Sequence, residues 1–125
     1  MSAEIKVLIA DDQSSIRGLL KMIVGSLGGN VVAEAGNGVE AVEKFKQHSP
    51  DLVLLDINMP QMDGVEALQA IKQHNTDAVV AMLTSQNTVD VVRKCVALGA
   101  VNFILKDNPD TIQQELAKLW SSINV

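Results

Sequence analysis

Residues 51–64 read DLVLLDINMPQMDG, and this stretch passes from an apolar run to a polar loop within a few positions. Residues 52–55 are continuously apolar, which is typical of a strand covered on both faces of a sheet. Asp56 follows the run directly. Asp63 is followed three positions later by Glu66, a pattern that indicates a helix N-terminus. The stretch therefore predicts a buried strand, a loop that begins with Asp56, and the start of a helix.

The same alternation extends outward over the whole chain. Short apolar runs predict five strands, at residues 5–10, 31–35, 52–55, 78–83 and 101–105. A segment of helical period follows each run, and the clearest has one apolar stripe made of Ile16, Leu19, Leu20, Ile23, Val24 and Leu27. Alternating strands and helices favour parallel strands joined by right-handed crossovers. The predicted fold class is α/β, a (βα)5 three-layer sandwich with a parallel five-stranded sheet.

Helix boundaries carry capping signals that agree with this division. Three helices are predicted to open with an Asx residue and an acid three positions later, at Asn37/Glu40, Asp63/Glu66 and Asn87/Asp90. Asn108 followed by Pro109 predicts the start of the last helix. Gly28 and Gly99 stand where a left-handed residue would close a helix.

Length and composition exclude several classes of protein. The 125 residues predict a single domain, 1–125, and the formal net charge of −5 without a basic cluster argues against direct binding of nucleic acid or membranes. The lone Cys95 excludes an intrachain disulfide. The longest apolar run, residues 78–83, is far shorter than a membrane span, and the N-terminus does not resemble a signal peptide. We therefore expect a cytoplasmic protein.

Reactive side chains follow four of the five predicted strands. Asp11 and Asp12 follow the first strand, Asp56 the third, Thr84 the fourth and Lys106 the fifth. Because the carboxyl ends of parallel strands lie at one edge of a sheet, these side chains are expected to share one pocket.

The residue types in this pocket indicate phosphoryl chemistry that depends on a divalent cation. Three carboxylates would repel one another unless a cation lay between them, and Mg²⁺ prefers such hard oxygen ligands. A carboxylate can also attack phosphorus to form an aspartyl phosphate, and Lys106 could neutralise the added charge. The Thr84 hydroxyl could donate to a phosphoryl oxygen. Taken singly, each residue also has a structural interpretation: a helix cap for Asp11 or Asp12, a strand end for Thr84, a solvated edge for Lys106.

With these motifs in place, the chain resembles the receiver domain of two-component response regulators, the CheY-like family. The resemblance covers residue 6 to about residue 120. Its most specific part is residues 56–64, DINMPQMDG, and the Asp11-Asp12 pair, residues 83–85 (LTS) and residues 103–106 (FILK) match the remaining family motifs in order. The resemblance implies the strand order 2-1-3-4-5, which is known for the CheY fold.

The resemblance also implies a role for each site residue. Asp56 would be the phosphoacceptor, which takes a phosphoryl group from a sensor histidine kinase or a histidine phosphotransfer protein. Asp11, Asp12 and Asp56 would hold Mg²⁺, with Asp12 as the more direct ligand, and the backbone carbonyl of Asn58 would complete the metal shell. Lys106 would pair with the phosphate.

Switching roles are implied for Thr84, whose hydroxyl would move toward the phosphoryl group, and for Phe103, at the switch aromatic position. Phosphorylation would then alter the surface of helix 4, strand 5 and helix 5, which would control a downstream protein partner. Asn58 and Gln86 occupy positions that tune self-dephosphorylation. Such a protein is a signalling phosphoacceptor and not an enzyme in the ordinary sense, and it is expected to be a monomer, with dimerisation after phosphorylation left open.

Alternatives remain at this point. The sequence Lys106-Asp107 resembles receivers that precede helix-turn-helix domains, so the chain could be the receiver fragment of a larger DNA-binding regulator. A metal-dependent aspartyl phosphatase would also carry a nucleophilic Asp at a strand end, but it usually has a second Asp at the position of Asn58. A receiver-like interaction module without phosphorylation is disfavoured by the complete set of acids, and a flavodoxin by the loop after the first strand.

Overall fold

Strands and helices alternate five times in the computed structural model, which describes residues 4–85 and 89–123. In chain order the strands are β1 Lys6–Ala10, β2 Asn30–Ala35, β3 Leu52–Asp56, β4 Val80–Thr84 and β5 Asn102–Leu105. The helices are α1 Ser14–Ser26, α2 Gly38–His48, α3 Gly64–His74, α4 Val89–Ala97 and α5 Pro109–Ile123. The predicted (βα)5 order is confirmed.

All five strands are parallel and form one sheet in the order β2-β1-β3-β4-β5. The order that the family resemblance implied is therefore confirmed. Two predicted carboxyl ends of strands were wrong by one residue: Asp56 and Thr84 are the last residues of β3 and β4 and do not follow them. Both still pair with the neighbouring strand, Asp56 with Leu83 and Thr84 with Leu105. The predicted starts of β1, β2 and β5 were wrong by one residue and that of β4 by two.

Helices cover both faces of the sheet, as the continuously apolar strands indicate. On one face, strand residues such as Leu8 and Leu55 pack with α2, α3 and α4. On the other face, alternate residues such as Ile9 and Leu54 pack with α1 and α5. This alternation follows from the two-residue period of a strand. No helix in the described part of the chain has the length and apolarity that a membrane crossing requires.

The predicted helix starts are confirmed in part. Asp63 and Glu66 form a complete capping box at α3, and the Asn108 side chain accepts a hydrogen bond from the Thr111 amide at α5. The Asn37 side chain accepts from the Glu40 amide at α2, but the reciprocal bond was wrongly predicted, because the Glu40 carboxylate accepts from the amide of Gly36. Asn87 of the third predicted pair lies outside the described ranges, as does Gln86 beside it, so the pairing of Asn87 with Asp90 stays a prediction.

Both glycines predicted to close helices have a positive φ, +88° at Gly28 and +99° at Gly99. This left-handed conformation is accessible to glycine without the steric cost that a Cβ would bring.

Candidate functional site

Three carboxylates lie together at the carboxyl edge of the sheet. Asp11 follows β1, Asp56 ends β3, and β1 and β3 are neighbours in the sheet, which brings the two segments side by side. Asp11, Asp12 and Asp56 each offer a carboxylate oxygen, and these oxygens lie within 4.8 Å of one another. Asp11 and Asp56 are buried, whereas Asp12 is exposed. One carboxylate of the cluster is therefore open to solvent.

The ammonium of Lys106 lies between the two buried carboxylates. Its Nζ is 2.8 Å from Asp11 Oδ2 and 3.2 Å from Asp56 Oδ1. Lys106 follows β5 directly, and its backbone amide donates to the Thr84 carbonyl, which extends the pairing of β5 with β4. The lysine side chain is only 8% exposed, so water screens the attraction between these charges less than it does in a surface ion pair.

Burial and neighbouring charge alter the acidity of this cluster. Burial first, and then the Asp11 carboxylate, raise the pKa of Asp56 from 3.8 to about 6, while the Lys106 ammonium opposes the rise. Burial alone would lower the pKa of Lys106, but the hydrogen bond to Asp11 and the charges of both carboxylates raise it. The lysine is therefore a cation at neutral pH, and Asp56 gains proton affinity first because it is buried and second because Asp11 is a neighbouring negative charge.

The loop after Asp56 folds back tightly on the end of β3. The Asn58 amide donates to Asp56 Oδ1 at 3.3 Å, and the Gly64 amide donates to the Ile57 carbonyl at 2.7 Å. A Cβ added to Gly64 would lie 2.0 Å from the Asp56 carbonyl oxygen, so only glycine fits at this first residue of α3. Gln61 adopts a left-handed φ of +68° within the loop. The compact loop holds Asn58 beside the Asp56 carboxylate.

A cleft of about 270 Å³ opens onto this cluster. Its walls are formed by Asp12, Gln13, Ile16, Asp56, Asn58, Ser85 and Lys106. Four residues predicted for the site therefore face one cleft, and Asp11 lies behind it, in contact with Lys106. Thr84 is buried at the end of β4, directly before the cleft residue Ser85.

Phe103 occupies a different position. It lies inside β5, pairs with Met82 of β4 and packs, partly buried, against the core on the side of α2, α3 and α4. The structure thus places Phe103 in a packing position three residues before Lys106. Phe103 therefore packs against the core and is not among the described residues that line the cleft.

The alternative interpretation of the aspartates as helix caps does not hold for α1. The N-cap residue is Gln13, and its side chain makes no capping hydrogen bond. Asp11 instead accepts from the Gln13 amide through Oδ1 and from Lys106 through Oδ2. Both carboxylate oxygens of Asp11 are therefore used to hold the loop and the lysine.

Several residues of the site were missed in the sequence. Gln13, Ile16 and Ser85 line the cleft. Arg17, on the first turn of α1, donates from Nη1 to the Asp11 carbonyl oxygen at 2.6 Å. The available signal was proximity in the chain, because each of the four lies within six positions of a predicted site residue, and Ser85 also belongs to the LTS motif at residues 83–85. Proximity alone did not indicate which side chains turn toward the cleft.

The donor set fits a magnesium ion. Mg²⁺ takes oxygen ligands, commonly one or two carboxylates, and keeps several waters. The cluster offers three carboxylates, one of which is exposed at an open cleft that has room for such waters. Lys106 already compensates part of the negative charge, so a single divalent cation would be enough to balance the rest.

Comparison with known proteins gives a consistent result. The response regulator receiver domain family matches residues 7–117. The chemotaxis protein CheY of Bacillus subtilis is 46% identical over 101 residues, which cover 81% of this chain and 84% of that protein. A crystal structure of a CheX-CheY complex with BeF₃ and magnesium from Borrelia burgdorferi has a TM-score of 0.86 at 34% identity, over 93% of this chain and 89% of the other.

Similarity also extends to a longer protein. A protein-glutamate methylesterase/protein-glutamine glutaminase of Rhodospirillum rubrum is 40% identical over 120 residues. The match covers 94% of this chain but only 32% of that protein. The same fold therefore occurs both in proteins of this length and as one part of larger ones.

Proposed function

Because the chain belongs to the response regulator receiver domain family, we propose that Asp56 accepts a phosphoryl group from a phosphohistidine. The observation that carries the proposal is the position of Asp56 at a cleft, with the Lys106 ammonium 3.2 Å from its carboxylate and two further carboxylates close by. The donor is a sensor histidine kinase or a histidine phosphotransfer protein, since receiver domains take phosphate from such proteins.

The chemistry follows from the contacts of Asp56. The Asn58 amide and the Lys106 ammonium both contact its Oδ1. We assign the attack on phosphorus to the Asp56 carboxylate. A bond forms between a carboxylate oxygen of Asp56 and phosphorus, the bond between phosphorus and the imidazole nitrogen breaks, and the electron pair of that bond leaves with the donor histidine. Hydrolysis of the aspartyl phosphate later releases inorganic phosphate and restores the carboxylate.

The residues around Asp56 stabilise the added negative charge. Lys106 supplies an ammonium to the phosphoryl oxygens, and Asp11 keeps that ammonium in position through its 2.8 Å contact. Asp12 and Asp56, the backbone carbonyl of Asn58 and, behind them, Asp11 would hold Mg²⁺. When bound, the magnesium ion neutralises charge on the phosphoryl oxygens during transfer.

The phosphorylated state would be read at a second surface. We assign the switch to Thr84 and Phe103, since Thr84 is adjacent to the cleft and Phe103 lies on the strand that leads to Lys106. Apolar side chains are exposed on α4 and before β5, with Val89 63%, Val96 56% and Val101 52% accessible. An exposed apolar surface of this kind supports an interaction with a protein partner through α4, β5 and α5.

The assignment to a stand-alone regulator is a finer proposal. The similarity to CheY over most of both chains supports it, whereas the match to a third of a longer methylesterase supports the alternative of a receiver within a larger regulator. In either case the domain acts as a signalling phosphoacceptor. The cytoplasmic location, the monomeric state and the absence of direct contact with nucleic acid remain predictions.

Intact-mass measurement tests the phosphoacceptor directly. The protein is incubated with a small acyl phosphate and Mg²⁺, and the wild type is expected to gain one phosphoryl group. Asp56→Asn is expected to gain none, while Asp77→Asn, which changes an exposed aspartate away from the cleft, serves as the matched control. Equal labelling of Asp56→Asn, or full labelling in a chelator, would contradict the assignment.

The aspartyl phosphatase alternative is separated by turnover. Sustained hydrolysis of a generic phosphate ester with Mg²⁺, over many cycles for each protein molecule, would favour a phosphatase. We expect no such turnover, because Asn58 takes the position where those enzymes usually place an acid.

A further inference from the structure

A guanidinium group links the loop of the acidic pair to the neighbouring strand. Arg17 lies on the first turn of α1, and its Nη1 donates to the Asp11 backbone carbonyl at 2.6 Å. Its Nε donates to Glu34 Oε1 on β2 at 3.2 Å. The arginine therefore spans two elements, and its side chain is only 22% exposed.

The contact of Arg17 with the Asp11 carbonyl restricts the backbone next to Asp12. The Asp11 carbonyl belongs to the peptide group that joins Asp11 to Asp12, so a hydrogen bond to it restricts the orientation of that peptide plane. The opposite side of the same segment is held by the Asp11 amide, which donates to the Ala35 carbonyl of β2 at 3.0 Å. Contacts with Arg17 and Ala35 thus hold the backbone of Asp11 on both sides and restrict the orientation of the peptide that leads into Asp12.

Glu34 in turn holds Arg17. Its carboxylate pairs with Arg17 through Oε1 and with Lys21 through Oε2 at 3.1 Å. The hydrogen bond from Lys21 and the charges of both cations lower the pKa of Glu34. The glutamate therefore remains ionised at neutral pH and fixes the guanidinium, whose planar fork can donate in two directions.

We infer that Arg17 is a positioning residue for magnesium binding, which acts by orienting the Asp11–Asp12 peptide so that the Asp12 carboxylate faces the cleft. The inference rests on the proposed function, since it assumes that the acidic cluster binds Mg²⁺. Residues that orient metal ligands commonly contribute ten- to a hundredfold to metal affinity.

The sign of the effect distinguishes positioning from simple electrostatics. Arg17 is a cation close to a cluster of acids, so its removal by Coulomb's law alone would make Mg²⁺ bind more tightly. If Arg17 orients Asp12, its removal weakens Mg²⁺ binding in spite of the lost repulsion. Lys21 offers a matched control, because it is a cation on the same helix that pairs with the same glutamate.

Isothermal titration calorimetry with MgCl₂, on unphosphorylated protein, measures the affinity. We expect Arg17→Met to raise the Kd about tenfold, and Arg17→Lys to raise it several-fold, because lysine keeps the charge but has no planar fork. Lys21→Met is expected to keep or tighten the affinity. The amide resonance of Asp12 in the metal-free protein is expected to shift in both Arg17 variants and to stay in place in Lys21→Met.

If the wild type binds Mg²⁺ and Arg17→Met has an unchanged or lower Kd, the positioning role is overturned. Failure of the wild type to bind Mg²⁺ would overturn the metal site itself and this inference with it. Should both Arg17 variants fail to fold, Glu34→Asp decides, because it keeps the arginine, all three acids and the negative charge of the anchor but shortens the side chain that holds the guanidinium. A weakened affinity in Glu34→Asp supports the role, and an unchanged affinity overturns it.

Discussion

Lys106 Nζ lies 2.8 Å from Asp11 Oδ2, although 95 positions of chain separate the two residues. The same ammonium lies 3.2 Å from Asp56, so one lysine contacts both buried carboxylates of the cluster. Without it, two negative charges would be buried next to each other, since the ion pairs among the described residues give neither carboxylate another cationic partner. The stability of the site and its chemistry therefore depend on the same ion pair.

Lys106→Met is expected to destabilise the protein in the absence of a divalent cation. Removal of one partner of a buried pair leaves uncompensated charge and typically costs about 3–5 kcal/mol. We expect Mg²⁺ to restore part of this loss, because a ligand that binds only the folded state stabilises it. Urea unfolding in a chelator and in Mg²⁺ measures both effects.

The matched control for that change is Lys118→Met, since Lys118 is 74% exposed and forms only a surface pair with Glu115. Exposed pairs contribute about 0–1 kcal/mol. Equal destabilisation by the two substitutions would show that loss of the buried Lys106 ion pairs costs no more unfolding free energy than loss of a surface pair.

The elevated pKa of Asp56 predicts a dependence of stability on pH. Between pH 3.8 and about 6, the folded state binds more protons at this residue than the unfolded state does. The contribution of Asp56 to the unfolding free energy therefore falls as pH rises through this window, by about 3 kcal/mol for a shift of about two pKa units.

In a chelator at pH 7.5, Asp56→Asn is accordingly expected to be more stable than the wild type by about 2 kcal/mol, because the amide carries no charge. The difference should shrink as the pH approaches 4. Urea unfolding across this range provides the measurement, with Asp77→Asn as the control. A constant difference, or one that grows toward low pH, would contradict the assigned direction.

Gly64→Ala is expected to distort the loop that follows Asp56. The new Cβ would lie 2.0 Å from the Asp56 carbonyl oxygen, and a backbone atom cannot move aside cheaply. Overpacking of this kind costs about 1–3 kcal/mol. Gly18→Ala, inside α1 with open space around it, is expected to be neutral or to stabilise by up to about 1 kcal/mol. Thermal unfolding measures the melting temperatures of both variants, and similar values would contradict the predicted clash at Gly64.

Thr84 variants test the proposed switch. Thr84→Val removes the hydroxyl and keeps the shape, so we expect beryllofluoride to bind while the amide resonances of β5 and α4 change less than in the wild type. Thr84→Ser keeps the hydroxyl and should preserve most of the response. Equal changes of these resonances in Thr84→Val and the wild type would show that the Thr84 hydroxyl takes no part in the switch.

Much of the fold could be predicted because its signals are local. The continuous apolar runs and helical stripes indicate strands and helices within windows of a few residues, and the box at Asp63 and Glu66 formed as expected. The predicted box at Asn37 was only half correct, since Glu40 accepts from Gly36. Which backbone amide a side chain reaches depends on the path of the preceding turn, and residue types alone do not specify that path.

The sequence by itself determined the alternation of five strands and five helices, and with it the convergence of Asp11, Asp12, Asp56 and Lys106 on one edge, because parallel strands must end together. Only the tertiary structure decided that Asp11 is buried while Asp12 is exposed, that Lys106 bridges Asp11 and Asp56, and that Arg17 holds the peptide between the acids. These relationships depend on which strands are neighbours and how the helices pack on them. Hydrophobic periodicity records which face of an element is covered, but it carries no information about which side chain lies opposite.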